Sequence, residues 1–404
     1  MVAPPTILCA YEFGAGLGHL NRILAVVRRL PDHCRFVFAL PEPALGHAVI
    51  AEVFGNRATV IQGVNWPAPN DPKAREVQTL TFADVLRLFA FDDLSLLGSQ
   101  VARWRAIFKD TKPTVVLADF APTLRLASLG ALPVVVVGNG YTIPPGGRLL
   151  PPMRPWDGRV SATSRANEGS LLASINKASS TLKGPPIDYV ADLFQGNQTF
   201  ACTLPEFDPY RSFRAQPPVW PFNIPRIKVG PAHGERQGAS IFVYFAQGHP
   251  ALRPVLAAVS ALKTRVHIYI QGANPQEVAR QCGRDVVVHV RPADLAAVLP
   301  QANVLIHHAG LGTAYAGLMA GVPQLVIPLN LEHQITARGV EAFGTGVLLP
   351  IKPPQTPEQI GRVINQMLID RTRQRTAISS AVDLQRRRVE DPVTPVVEAI
   401  KSHI

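Results

Sequence analysis

With 404 residues, 47% of them hydrophobic and 17% charged, the chain has the make-up of an ordinary globular protein, too long for one core and suited to two domains of about 200 residues each. No apolar run reaches the roughly 18 residues that span a bilayer, and the start, MVAPPTILCAY, lacks the basic residues and long apolar run of a secretory signal. A net charge of +11 favours anionic ligands such as sugar nucleotides or acidic lipids. The chain carries no RNA- or DNA-binding signature, and with 7% aromatic residues it has too few for a nucleic-acid stacking platform.

Cys9, Cys34, Cys202 and Cys282 are scattered without a C-x-x-C and read as free thiols in a reducing cytoplasm. Thr6–Tyr11 reads as a first strand, followed by the glycine-rich GAGLGHL (Gly14 to Leu20) and an amphipathic helix, Arg22–Leu30. This is not a dinucleotide fingerprint. The spacing is not G-x-G-x-x-G, the second strand, Phe36–Leu40, closes without an acidic residue, and His19 stands at the helix entrance where a pyrophosphate prefers amides alone. A strand over Ala58–Gln62, a polar loop over Asn65–Asp71 and a long helix from Phe82 to Phe108 follow. The strand Thr114–Ala118 ends in Asp119. The plain readings are a helix-capping His19 and an Asp119 that caps the helix after Pro122.

A fifth strand, Leu132–Val137, runs into Gly138–Thr142. That loop shares its sheet edge with His19, which makes Asn139 and Tyr141, with Gly16, candidates for binding an acceptor. Pro144 to Trp156 reads as an irregular flap, Ser161–Leu182 as a polar amphipathic helix able to act as a mobile cover, and Phe200–Thr203 as the last strand of this half. The strongest composition break, residues 216–238, is rich in proline and glycine and suits an interdomain connection. The expected plan is an N-terminal domain over 1–215, that linker, a second domain over 239–390 and a C-terminal helix over 391–404.

A second strand–helix alternation then begins with Ser240–Phe245, Val266–Ile270 and Val286–Val290, and two such series indicate two doubly wound parallel sheets. Its centre is Asn303 to Pro350. The short strand Val304–Ile306 stops at HHAGLGT, a helix begins near Gly312, Gly321 and Pro323 end it, and a strand over Leu325–Ile327 leads to Glu332, His333 and Gln334. Glycines at a strand end and a helix start present amides and a positive dipole end to an anion, most simply a phosphate. The alternative is that Gly310 and Gly312 only close a tight turn. The arginines at 371, 373, 375 and 386–388 read as a solvated helix face, with a weak peripheral hold on an anionic membrane as the other reading.

At HHAGLGT, the Gly321-Val322-Pro323 that follows, and Pro328 with Glu332, the chain resembles the donor-binding box of the family-one, UDP-glycosyltransferase-like enzymes of bacterial type. The resemblance implies an α/β fold of the GT-B kind: two Rossmann-like domains facing a central cleft, the second binding a nucleotide-sugar donor and the first an acceptor. It implies that His308, Gly310, Leu311, Gly312 and Thr313 bind the donor's diphosphate, with Glu332, His333 and Gln334 toward the sugar and Arg291 beside them. It also implies that His19 is the general base, oriented by Asp119. The chemistry agrees, because a hydroxyl is a weak nucleophile until a base titrating near the working pH takes its proton, and such a base needs a carboxylate on its other nitrogen. The reaction so implied is inverting transfer to a small hydrophobic molecule or lipid, without metal or cofactor beyond the sugar nucleotide. The sequence departs from the family at Ala316, where a ribose-binding glutamate is usual, and at Val290 and Ala293, where plant members carry tryptophan and glutamine against the base. Ala316 also keeps open a non-catalytic sugar-nucleotide-binding protein of the same fold. An epimerase is the less favoured third reading.

Overall fold

The structure is a computed structural model that describes residues 4–14, 17–67, 79–222, 224–231, 240–283 and 286–404. Gly16, much of the expected polar loop and part of the expected linker lie outside the described residues. The chain divides into two compact units, Met1–Asn223 together with Glu390–Ile404, and Ile224–Val389.

The first unit holds a six-stranded parallel sheet: β1 (Thr6–Ala10), β2 (Arg35–Leu40), β3 (Ala58–Gln62), β4 (Val115–Asp119), β5 (Val134–Gly138) and β6 (Gln198–Ala201), in the order β3-β2-β1-β4-β5-β6. Strands such as VVLAD and VVVVG are buried at every position, as expected where helices cover both faces of a parallel sheet. The order reverses between β1 and β4, so their C-terminal ends open a crevice at the topological switch point where such sheets bind ligands. Register places Ala10 beside Ala118 and therefore carries Tyr11 and Asp119 to one edge. The last helix, Thr394–Lys401, belongs to this unit. Its Val396, Val397 and Ile400 share one apolar cluster with Ile7, Leu24 and Val135.

The second unit repeats the design with β7 (Ser240–Ala246), β8 (Arg265–Gln271), β9 (Val286–Val288), β10 (Val304–His307), β11 (Gln324–Val326) and β12 (Gly346–Leu348), ordered β12-β11-β10-β7-β8-β9. Its switch point lies between β7 and β10. Two doubly wound sheets of this order form the expected GT-B architecture.

Three elements differ from the sequence-based expectation. The helix after β1 spans Gly18–Val27, so it starts about a turn early and takes His19 into its first turn. The long helix is two, Phe82–Leu88 and Leu94–Thr111. Ala90 takes a left-handed φ of 56°, and the Asp93 carboxylate caps the second helix by accepting from the backbone N–H groups of Ser95 (2.9 Å) and Leu96 (3.0 Å). The helix Ala162–Thr181, expected as a polar cover, buries Leu171, Ile175 and Glu168. The Glu168 carboxylate accepts from Leu150 N at 2.8 Å and from Arg165.

Candidate active site

In the first unit the crevice is built by three short connections. Nδ1 of His19 lies 3.0 Å from Oδ1 of Asp119, and the other carboxylate oxygen is paired with Nη1 of Arg22. Asp119 is fully buried. Burial alone would push its carboxyl up, but the Arg22 guanidinium and, less strongly, His19 hold it below the usual carboxylate range. His19 and Arg22 are three residues apart on one helix and so share a face. Asp119 does not cap the following helix, whose N-cap is Ala121.

The His19 ring is held from below by Tyr11, with centroids 5.3 Å apart and planes within 20°, and it approaches Phe120 at 6.2 Å. Gly14, at φ 104°, makes room for it. A Cβ there would stand 2.0 Å from His19 Nε2. Phe120 itself has a left-handed φ of 48°, a sparsely used conformation for a bulky residue. The loop is pinned by Glu12, which the sequence reading passed over. Its buried carboxylate accepts from Trp104 Nε1 (2.5 Å), Thr123 N (3.1 Å), Leu124 N (2.5 Å) and the Thr123 hydroxyl. Burial nevertheless pushes it up to about 7, against those hydrogen bonds. Of the acceptor candidates, Asn139 is buried and turns its side-chain oxygen to Thr142 N at 2.9 Å, while Tyr141 is half-buried with its ring 5.0 Å from Phe82.

In the second unit the helix Leu311–Ala320 begins directly after β10, with Gly310 as its N-cap. The left-handed residue of the turn is Ala309, at φ 73°, not a glycine. The glycines serve by leaving space. Nothing lies within 4 Å of a Cβ built on Gly312, and one built on Gly310 would meet His308 Nε2 at 3.7 Å and Thr313 Oγ1 at 3.8 Å. His308, Thr313 and the free N–H groups of the helix start therefore converge on one small volume beside Gly310 and Leu311. The paired His307 faces the other way. Its Nδ1 accepts from Ala309 N (3.2 Å), which leaves Nε2–H to donate to Gln324 Oε1 (2.9 Å), while Gln324 Nε2 donates to Ala314 O (3.1 Å). This network fixes the turn. Fully buried, His307 is pushed down to about 3.

Two more histidines surround His308. His333, in the first turn of the helix Leu331–Ala342, has its ring centroid 5.2 Å away, and His249, just beyond β7, is 6.1 Å away. Burial, then the neighbouring imidazoles, lower both to about 4, and burial lowers His308 as well. His249 was not picked out from sequence; its place after the C-terminal end of a switch-point strand was the available signal. Glu332 and Gln334 are half-buried beside His333, and Arg291 is exposed. Val290, one of the positions where the sequence departs from the family pattern, is 74% exposed. A cavity of about 220 Å³ lies instead between Tyr244, Tyr269, Gln271, Pro292, Ala293 and Thr313. The two tyrosine rings are stacked at 5.8 Å with planes within 8°, and Tyr244 Oη donates to Gln271 Oε1 at 3.0 Å. Ala316 is fully buried.

Three of the C-terminal arginines are engaged within their own unit: Arg373 with Gly346 O (2.9 Å), Arg387 with Asp383 (2.9 Å) and Arg388 with Ile224 O (3.5 Å). Among the described residues no helix is long and apolar enough to cross a membrane.

Residues 253–399 match the family "Erythromycin biosynthesis protein CIII-like, C-terminal domain". The chain is 48% identical over 62 residues to the elloramycin glycosyltransferase of Streptomyces olivaceus, a match spanning 15% of this chain and only 16% of that relative. It is 24% identical over 333 residues, three quarters of each chain (75% and 74%), to a PGL/p-HBAD biosynthesis glycosyltransferase of Mycobacterium tuberculosis. Among solved structures, the glycotransferase of kitacinnamycin aligns over 100% of both chains with a TM-score of 0.68 at 16% identity. The glycosyltransferase VinC, solved in complex with dTDP, aligns over 99% of this chain and 98% of its own with a TM-score of 0.63 at 16% identity. The matched segment and the long mycobacterial alignment make the chain similar to bacterial glycosyltransferases, and the full-length likeness to solved structures shows a GT-B fold of the family-one-like kind.

Proposed function

We propose that the chain is an inverting glycosyltransferase that moves a sugar from a nucleotide-diphosphate donor, a dTDP- or UDP-sugar, to a hydroxyl of a small, largely apolar molecule or lipid. The observation that carries this reading is the convergence of His308 Nε2, Thr313 Oγ1 and a helix start on the space beside Gly310. The His19–Asp119 pair at the other unit's switch point supports it. The relatives' names and the dTDP bound to VinC agree with donor and reaction class.

In the proposed step the acceptor hydroxyl gives its proton to Nε2 of His19, whose Nδ1 faces Asp119. Its oxygen forms a bond to the anomeric carbon as the bond from that carbon to the diphosphate oxygen breaks. The nucleoside diphosphate leaves with the electron pair, its growing charge met by the amides and side chains around Gly310. His333, with Glu332 and Gln334, flanks the donor sugar, and the Tyr244–Tyr269 cavity next to Thr313 receives the base. The expectation of a metal-free reaction rests on this use of fixed dipoles and side chains.

The test compares binding of dTDP and UDP by calorimetry, and turnover of dTDP-glucose and UDP-glucose with phenolic and macrolide acceptors, in wild type and His19→Ala. The proposal expects diphosphate binding in both proteins and a loss of transfer of at least about 10²-fold in the variant. Equal turnover in both would remove the base assignment. A non-catalytic sugar-nucleotide-binding protein is the second reading, because Ala316 supplies no carboxylate to the ribose. Binding without turnover across the acceptor panel would favour it.

A further inference from the structure

We infer that Arg22 is a positioning residue of the proposed base, holding Asp119 as an anion beside His19 and setting the pH at which that base becomes available. The inference rests on the transferase reading for its importance and on geometry for its content. Asp119 is 0% exposed, and each of its oxygens has one partner: His19 Nδ1 at 3.0 Å on Oδ1 and Arg22 Nη1 on Oδ2. The Arg22 side chain is itself only 11% exposed, so solvent does little to screen its charge. An imidazole alone is a weak counter-charge for a carboxylate this deep. With Arg22 in place the carboxylate is ionised and fixed before the reaction starts.

The same cation works against protonation of its neighbour. When His19 takes the acceptor's proton, the cluster goes from neutral to one net positive charge. Without Arg22 it would go from negative to neutral, an easier step. Removal of the guanidinium therefore lets the His19–Asp119 pair hold its extra proton to higher pH, whichever atom carries it. Among the described residues, the other titratable groups facing the pair do not reproduce this effect. Tyr11, just after β1, stacks on the ring as a neutral phenol, with Glu42 beyond it, and Cys202 after β6 is a buried thiol pushed up to about 12. Sequence spacing gives a second reason. Arg22 lies one helical turn after His19, so any shift of the helix that preserves one contact preserves both.

The experiment uses two neutral variants, Arg22→Gln and Arg22→Met, so that the result does not hang on the fold of one, together with the charge-retaining Arg22→Lys. Two readouts are taken: the pH profile of kcat/KM for dTDP-glucose turnover, and the NMR titration of the His19 ring, assigned by its absence in His19→Gln. In the neutral variants both the acid limb and the ring titration should move up by at least about one pH unit, and Arg22→Lys should stay with wild type. A neutral variant that loses turnover while its titration and acid limb remain where they were would overturn the inference, because a merely structural arginine behaves that way. The two readings fail separately. If no protein turns over a sugar nucleotide but the ring titration still moves, the transferase reading falls and the role of Arg22 stands.

Discussion

Lowering the pH from about 7.5 to about 5 perturbs the two units in opposite directions. In the second unit His307 is held down to about 3, and His249 and His333 to about 4, from an ordinary 6.5. Above 6.5 these rings are neutral whether the chain is folded or not. Below it the unfolded chain binds protons that the folded unit refuses, so stability falls with pH until the folded values are reached. At about pH 5 the gap below 6.5 is about one and a half units, and at about 1.4 kcal/mol per unit each histidine costs up to about 2 kcal/mol. His307 alone gives about 2 kcal/mol, and because the rings lower one another through His308 the three effects sum to less than three separate ones. In the first unit the buried Glu12, raised from 4.5 to about 7, has the reverse sign. Its folded state keeps a proton that the unfolded chain loses, so its contribution is complete at low pH and is lost as pH rises through 7.

The sequence supplies an internal reporter for this difference. All four tryptophans, Trp66, Trp104, Trp156 and Trp220, lie in the first unit. Denaturation followed by tryptophan fluorescence therefore reports that unit, and hydrogen exchange of peptides within 304–348 reports the second. The expected outcome on acidification is a lower opening free energy for the second unit by at least about 2 kcal/mol, corrected for intrinsic exchange, with no loss in the fluorescence transition. Substitution His307→Asn should remove about 2 kcal/mol of that response. An opening free energy in 304–348 that is flat or rises at the lower pH would refute the reasoning.

Three further outcomes are expected. Diphosphate should bind more tightly as pH falls from 8 to 6, because an imidazolium at His308 attracts the anion more strongly than the neutral ring that burial favours; calorimetry in buffers of different ionisation enthalpy should show proton uptake, and Thr313→Ala should weaken binding by about tenfold, the worth of one hydrogen bond. Gly14→Ala should cut turnover by about 10²-fold while leaving dTDP binding intact, since a Cβ 2.0 Å from His19 Nε2 forces the ring to move by more than about 1 Å, as kinetics and calorimetry on the same sample will show. Gly317→Ala would put a Cβ 2.6 Å from the Gln324 side chain and disturb the His307 network, which predicts a melting temperature lower by several degrees.

The fold was legible because most strands are short apolar runs and the turns after β1, β7 and β10 carry glycine, signals that need no long-range knowledge. The helix over Phe82 to Phe108 was misread for a definable reason. Apolar residues keep helical spacing on both sides of the break, but Phe91 leaves the helix to stack on Trp66 at 4.3 Å, and Asp93 starts a new one. The strand-to-helix turn after β10 was legible in kind but not in detail. Its left-handed residue is Ala309, and its glycines matter for the space they leave. Arg22, Glu12 and His249 were missed because their partners lie far away in sequence. Asp119 is 97 residues from Arg22, and Trp104 is 92 from Glu12. No local pattern announces such a meeting.

The helix Thr394–Lys401 completes the first unit although the whole second unit precedes it in the chain. A nascent polypeptide halted after residue 389 carries a full second unit and a first unit still lacking Val396, Val397 and Ile400 from its interior. Synthesis order and maturation order are therefore inverted: the half made first is the half finished last. The same discontinuity guides engineering, since a graft that exchanges the second unit must replace an internal cassette bounded near residues 224 and 389 and leave the tail native.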